Sequence, residues 1–130
     1  MPADVPRAAI LVVDDEEMIR SVLRLTLVHA GYDVTEAENG EDALSKVEEE
    51  SPDLILLDVM MPGMDGFAVC ERLRQRPDTA DLPIIMLSAR SDSRSRQEGR
   101  RVGATKYLTK PLEVNKLLQH VEEALKKSDK

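Results

Sequence analysis

The chain has 130 residues, near the usual size of one domain, and carries 18 Lys+Arg against 25 Asp+Glu for a formal net charge of -7. That balance argues against general affinity for nucleic acid or anionic membrane. With aromatics at 2% and no Trp, few rings are available to stack on bases.

No apolar run approaches the roughly 18 residues a membrane span requires, and no cleavable leader follows Met1 to Arg7. The single Cys70 lies among Phe67, Val69 and Leu73, which suits a core thiol in a reducing compartment. These features predict a soluble, cytoplasmic chain of one domain over 1–130, with an ordered core of about 7–127.

After a loose start containing Pro2 and Pro6, Ala8 to Val13 is a continuous apolar run, predicting a strand buried on both faces that ends on Asp14-Asp15-Glu16-Glu17. Ile19, Val22, Leu23 and Ala30 then recur at helical spacing, with acids in the first turn and Gly31 as a stop. Tyr32 to Ala37 reads as an edge strand. Asn39-Gly40 turns the chain into a second helix from Glu41, which Pro52 closes.

Leu54 to Leu57 is a second fully apolar strand, finishing on Asp58 before a loop with Pro62, Gly63 and Gly66. Phe67, Cys70, Leu73 and Arg74 mark a third helix, broken at Arg76-Pro77. Pro83 to Leu87 predicts a strand ending at Ser88. From Ser91 to Val102 the helical signal is weak, because apolar positions are few and Gly99 costs about 1 kcal/mol relative to Ala. That helix is expected to shift most readily. Gly103 closes it, Ala104 to Thr109 is a fifth strand, and Lys110-Pro111 leads to a last helix with Val114, Leu117, Leu118, Val121 and Leu125 on one face and a frayed polar end from Lys126 to Lys130.

Alternation of strand and helix with short linkers predicts an α/β, doubly wound parallel sheet of five strands with helices on both faces. Such a sheet gathers the residues at the carboxyl ends of its strands, here Asp14, Asp15, Asp58, Ser88 and Lys110. Carboxylates crowded there repel one another, which either raises a pKa or calls for a cation. Oxygen-only ligands suit a hard ion such as Mg²⁺, whose open positions accept phosphate oxygens. Asp58, at the end of a central strand before a Gly/Pro loop, is the candidate nucleophile toward phosphorus.

Val12-Val13-Asp14-Asp15-Glu16, the run from Leu56 through Asp58 to Gly66, Ser88-Ala89 and Tyr107-Leu108-Thr109-Lys110-Pro111 together resemble the response-regulator receiver domain of two-component signal transduction, chemotaxis regulators included. The resemblance covers essentially the whole chain and implies a flavodoxin-like (βα)5 fold with strand order 2-1-3-4-5. It implies phosphoryl transfer to Asp58 from a histidine kinase or histidine phosphotransfer protein. Mg²⁺ would be held by Asp15, Asp58 and the Met60 backbone carbonyl, with Asp14 acting through water. Lys110, Ser88 and Ala89 would contact the phosphoryl group, and Ser88 and Tyr107 would form a switch. That switch would alter the face of the fourth helix, fifth strand and fifth helix for a downstream protein target, without direct nucleic-acid or membrane binding by this domain, as a monomer or a phosphorylation-dependent homodimer.

Each of these residues has a plainer role when taken singly. Asp14 and Asp15 could cap the first helix, Lys110 could be a solvated cation, and Tyr107 could be a half-buried strand aromatic. Arg90, Arg94, Arg96, Arg100 and Arg101 read first as a solvated helix face, and second as a docking patch for an acidic partner or another copy. Competing functions are an aspartyl-phosphate hydrolase, an unphosphorylated scaffold receiver, or the receiver piece of a DNA-binding regulator or hybrid kinase. Met60 stands where the hydrolase pattern has a second acid, which argues against turnover of phosphomonoesters and against an enzyme.

Overall fold

A computed structural model describes residues 7–128. The expected loose start at Pro2 and Pro6, and the last two residues of the expected frayed end, lie outside them. The elements are β1 (Ala9–Val13), α1 (Glu17–His29), β2 (Asp33–Ala37), α2 (Gly40–Glu50), β3 (Leu54–Asp58), α3 (Gly66–Arg74), a short 3-10 turn (Pro77–Thr79), β4 (Ile84–Ser88), α4 (Ser93–Val102), β5 (Lys106–Thr109) and α5 (Val114–Ser128). All strand pairs are parallel and the sheet order is 2-1-3-4-5.

Side chains alternate across the sheet with the period of an extended chain. Leu11, Val13, Ile55, Leu57, Ile84 and Met86 point to the layer of α2, α3 and α4, where Val47, Val69, Leu73 and Val102 meet them. Ile10, Val12, Leu54, Leu56, Ile85 and Leu87 point to α1 and α5, against Leu27, Leu117, Val121 and Ala124. The central strands are therefore apolar on both faces. Each of their large side chains contributes about 1.5–3 kcal/mol by leaving water. β2 pairs with β1 alone and is the expected edge.

Local chemistry explains the boundaries. The Asn39 carboxamide accepts from the Asp42 N–H at 2.7 Å, so Asn39-Gly40 is the cap and first residue of α2 rather than a separate turn. Asp65 caps α3 through the Ala68 N–H and Asp92 caps α4 through the Ser95 N–H. The Asp92 cap gives the weakly patterned α4 its start two residues later than Ser91, and Gly103 ends it in the left-handed region at φ 97°. α5 continues through Lys126 and Lys127.

Two helical faces differ from the sequence expectation. Val22 is 55% and Val114 50% exposed, whereas Leu27, outside the expected stripe, is fully buried. α1 carries apolar residues around much of its circumference, so spacing alone does not choose which of them meets the sheet.

Gly99 has a packing reason. A Cβ there would sit 2.9 Å from Tyr107 Cδ2. The ring is held by its hydroxyl, which donates to the Arg90 carbonyl at 2.8 Å, and by the Arg96 guanidinium 5.5 Å from its centroid. Gly99→Ala gains about 1 kcal/mol of helix propensity but incurs about 1–3 kcal/mol of overpacking. The expected result is a net loss of about 1 kcal/mol in urea unfolding, reversing to a gain of similar size in a Tyr107→Ala background.

Candidate functional site

The four strand ends meet as expected. Asp14 follows β1, Asp58 and Ser88 close β3 and β4, and Lys110 follows β5. The Lys110 N–H donates to the Ser88 carbonyl at 2.8 Å, and the Lys110–Pro111 peptide is cis. From this position Lys110 Nζ reaches Asp14 Oδ2 at 3.2 Å and Asp58 Oδ1 at 3.3 Å.

Asp14 is fixed on several sides. Its Oδ1 accepts from the Glu16 N–H at 2.9 Å, and its carbonyl accepts from Arg20 Nη1 at 2.8 Å. The plain capping role does not hold, because Glu16 is the residue at the N-cap of α1 and makes no side-chain cap bond. Asp14 is 1% and Asp58 5% exposed, whereas Asp15 faces solvent. A carboxylate oxygen of each of the three lies within 4.8 Å of the others.

Burial, followed by the Asp14 charge, pushes the Asp58 carboxyl up from 3.8 to about 6, with Lys110 and the Met60 amide pulling it back. Burial works to lower the Lys110 ammonium, but the charges of Asp58 and Asp14 outweigh it and hold the group above its ordinary value. Three crowded carboxylates, one strained toward protonation and one open to solvent, form an oxygen-donor set that fits a hard divalent cation.

The loop after Asp58 is tied at its base by the Gly66 N–H donating to the Val59 carbonyl at 2.9 Å. Met60 points its side chain outward at 52% exposure, while Met61 packs down at 7%. Ser88 is fully buried and its Oγ accepts from the Arg90 N–H at 3.0 Å. Ala89 is exposed beside it. Tyr107 is half-buried, packed against the core on the α4 side of the sheet, and linked by its hydroxyl to Arg90, two residues beyond Ser88.

Two residues that touch this arrangement make contacts the sequence did not show. Arg96 donates through Nη2 to Thr109 Oγ1 at 2.9 Å and through Nε to the Ser91 carbonyl at 3.3 Å while covering Tyr107, so it fastens α4 to β5. Gly66 lies against the Asp58 backbone, where a Cβ would meet the Asp58 carbonyl oxygen at 2.6 Å. In the sequence it stood out as a loop glycine before a helix and as the end of the run from Leu56 that carries the resemblance, neither of which shows this contact. Cys70 is the core thiol expected, donating to the Val102 carbonyl at 3.3 Å, with burial raising its pKa.

The model of the response regulator receiver domain matches residues 10–122. The alkaline phosphatase synthesis transcriptional regulatory protein PhoP of Bacillus subtilis is 45% identical over 92% of the chain, which covers 49% of that protein. The DNA-binding dual master transcriptional regulator RpaA of Synechocystis is 40% identical over 93% of the chain, covering 50% of it. The chain thus spans about half the length of these curated relatives. Among solved structures, the chemotaxis protein CheY4 of Vibrio cholerae superposes with a TM-score of 0.88 at 37% identity, covering 92% of this chain and 99% of that one. A putative response regulator from Chloroflexus aurantiacus gives 0.88 at 40% identity, covering 92% and 98%. Strand order, the acids and lysine at the strand ends, and a family match across most of the chain agree, and this chain belongs to the response regulator receiver domain family.

Proposed function

We propose that this domain is a phosphorylation-dependent signalling switch whose acceptor is Asp58. The supporting observation is the buried Asp14–Asp58 pair bridged by Lys110 Nζ at 3.2 and 3.3 Å, with Asp15 beside it. A carboxylate oxygen of Asp58 attacks the phosphorus of a partner's phosphohistidine. The P–O bond forms as the P–N bond breaks, and the imidazole leaves with a proton from solvent. At pH 7 a group titrating near 6 is roughly 90% ionised, so Asp58 is available as the nucleophile.

Mg²⁺ would be held by Asp15, Asp58 and the Met60 backbone carbonyl, with Asp14 acting through water, and when bound it supplies charge neutralisation for the phosphoryl oxygens. Lys110 moves its ion pair from Asp58 to a phosphoryl oxygen. The Ser88 hydroxyl turns from the Arg90 amide to another, and the exposed Ala89 amide offers a further donor. Release of the Ser88–Arg90 bond loosens the segment whose carbonyl holds the Tyr107 hydroxyl, so the α4–β5–α5 face repacks. Only contacts present in the modified state shift such an equilibrium.

The donor is a histidine kinase or histidine phosphotransfer protein, and the output is a downstream protein in the cytoplasm, reached by a monomer or by a phosphorylation-dependent homodimer. No helix among the described residues is long and apolar enough to cross a membrane. Because the chain spans about half of relatives such as PhoP, a second reading is that it is the receiver portion of a longer DNA-binding regulator.

Incubation with a small-molecule phosphodonor should add one phosphoryl group by intact mass, dependent on Mg²⁺ and absent in Asp58→Asn. Stoichiometric modification of Asp58→Asn would show the acceptor to be another residue. No modification of wild type by either a small donor or a phosphorylated kinase would leave a scaffold.

A further inference from the structure

Arg20, near the start of α1, is a charged side chain only 13% exposed, and its guanidinium is divided between two partners. Nε donates to Glu36 Oε1 on β2 at 3.1 Å, and Nη1 donates to the Asp14 carbonyl just beyond β1 at 2.8 Å. Enclosing a guanidinium costs free energy, which the carboxylate and these two bonds offset. Its plainest role is to fasten α1 to the edge of the sheet, but the second bond reaches further than that.

The Asp14 carbonyl belongs to the peptide group that joins Asp14 to Asp15. The next peptide group, joining Asp15 to Glu16, is held as well, because its N–H donates to Asp14 Oδ1 at 2.9 Å. Upstream, the Asp14 N–H donates to the Ala37 carbonyl at 3.2 Å. Asp15 therefore hangs between two planar peptide groups that are both tied. Its own side chain faces solvent, so packing does not choose its direction and the backbone ties do. Even so, a carboxylate oxygen of Asp15 lies within 4.8 Å of oxygens of Asp14 and Asp58.

Glu36 is a firm base for this arrangement. It stands beside Val12 in the parallel register of β1 and β2. Its Oε2 accepts from Arg24 Nε at 3.1 Å, and its carbonyl accepts from Lys46 Nζ at 3.0 Å. Arg24 thus makes the same ion pair as Arg20, but it is 41% exposed and, among the described residues, bonds to no part of the Asp14 to Glu16 segment. The two arginines differ chiefly in that Arg20 alone holds the Asp14 carbonyl. A guanidinium grips its two partners through a rigid planar fork, so fixing one end on Glu36 fixes where the other end meets the backbone.

We propose that Arg20 is a positioning residue for the magnesium site: by holding the Asp14–Asp15 peptide group against Glu36 of β2, it aims the Asp15 carboxylate toward Asp14 and Asp58. It touches neither the ion nor the phosphoryl group. The inference rests on the magnesium reading above. The sign of the effect separates it from a simple charge effect. Removing a positive side chain near an acidic site strengthens the binding of another cation, whereas removing a tie that orients a ligand weakens it.

The test titrates the full chain with Mg²⁺ alone and follows the amides of Asp14, Asp15 and Glu16 by NMR. It compares wild type with Arg20→Met, Arg24→Met, Asp15→Asn and the Arg20→Met/Asp15→Asn double variant. Methionine keeps an apolar stem in place of the guanidinium, and Glu36 retains its pair with Arg24. Arg20→Met should bind Mg²⁺ about tenfold more weakly than wild type. Arg24→Met should bind it as tightly as wild type or slightly more so, and Arg20→Met should have little further effect in the Asp15→Asn background. Thermal unfolding in chelator should place Arg20→Met within a few degrees of wild type, since an apolar side chain often replaces an enclosed ion pair without loss of stability. Should Arg20→Met not fold, Arg20→Gln takes its place with the same expectation. Unchanged or tighter Mg²⁺ binding by the Arg20 variant overturns the proposal. So does full additivity with Asp15→Asn, or an equal loss in Arg24→Met, which would trace the effect to the Glu36 ion pair in general. A wild type that binds no Mg²⁺ at these residues sinks the magnesium reading and this inference together, whereas wild-type binding that the Arg20 variant shares sinks the positioning role alone.

Discussion

Metal-free Asp58→Asn protein is expected to unfold at higher temperature than the wild type near neutral pH. In the native site Asp58 is buried beside Asp14, and its carboxyl is raised from 3.8 to about 6. A native group that binds its proton more tightly than the unfolded chain stabilises the fold below the unfolded value, and that contribution is lost as pH rises through the native one. Wild-type stability should therefore fall relative to Asp58→Asn between about pH 4 and pH 6, and the difference should be complete above that window. At about 1.4 kcal/mol per pKa unit the ceiling is near 3 kcal/mol. Loss of the Lys110 attraction reduces it, so about 1–2 kcal/mol, or several degrees in Tm, is expected. Millimolar Mg²⁺ should narrow the gap by neutralising the wild-type carboxylates. Thermal unfolding in chelator across this pH range reads the effect, and equal melting of the two proteins at neutral pH would remove the case for a repulsive site.

Gly66→Ala should have the largest effect of any single methyl group near the site. The added Cβ would lie 2.6 Å from the Asp58 carbonyl oxygen and 2.8 Å from Val59 Cα, both backbone atoms at the end of β3. At Gly99 the obstacle is a side chain with some freedom, but here either β3 or the first turn of α3 must move. Overpacking of this kind costs at the upper end of about 1–3 kcal/mol or beyond. The displacement also separates Asp58 from Lys110, so phosphoryl uptake should fall about tenfold or more, a change that about 1.4 kcal/mol in the barrier suffices to produce. Urea unfolding and the rate of mass increase with a small phosphodonor measure the two consequences. Wild-type values for both would mean that the loop has slack the close contact denies.

The cluster of Asp14, Asp58, Ser88 and Lys110 was legible because it sits where a repeating pattern changes character. Leu54 to Leu57 and Ile84 to Leu87 are apolar until Asp58 and Ser88, and a parallel sheet brings all such endings to one edge. The two-sided burial of these strands was legible for the same reason. Val22 and Val114 were misplaced because α1 and α5 carry more apolar residues than one stripe needs, and only the packed sheet selects among them. The 3-10 turn at Pro77–Thr79 left no periodic trace in so few residues. Arg96 was visible as a charge but not as the cover of Tyr107, since that contact depends on how closely α4 approaches β5. Gly99 looked like a weakness in a helix until the ring it accommodates was in view.

The two ends of α4 are fastened by different means. At its C-terminal end Arg74 of α3 donates to the Gly103 carbonyl at 2.9 Å and to the Thr79 carbonyl at 3.0 Å, and the Cys70 thiol donates to the Val102 carbonyl. At its N-terminal end the ties run through the Arg96 and Tyr107 side chains to β5 and the segment after Ser88. At the first end the α4 backbone itself is the acceptor, whereas at the other α4 reaches β5 through the long Arg96 side chain, so a rearrangement beside Ser88 is expected to displace the N-terminal end of α4 before the end seated on α3.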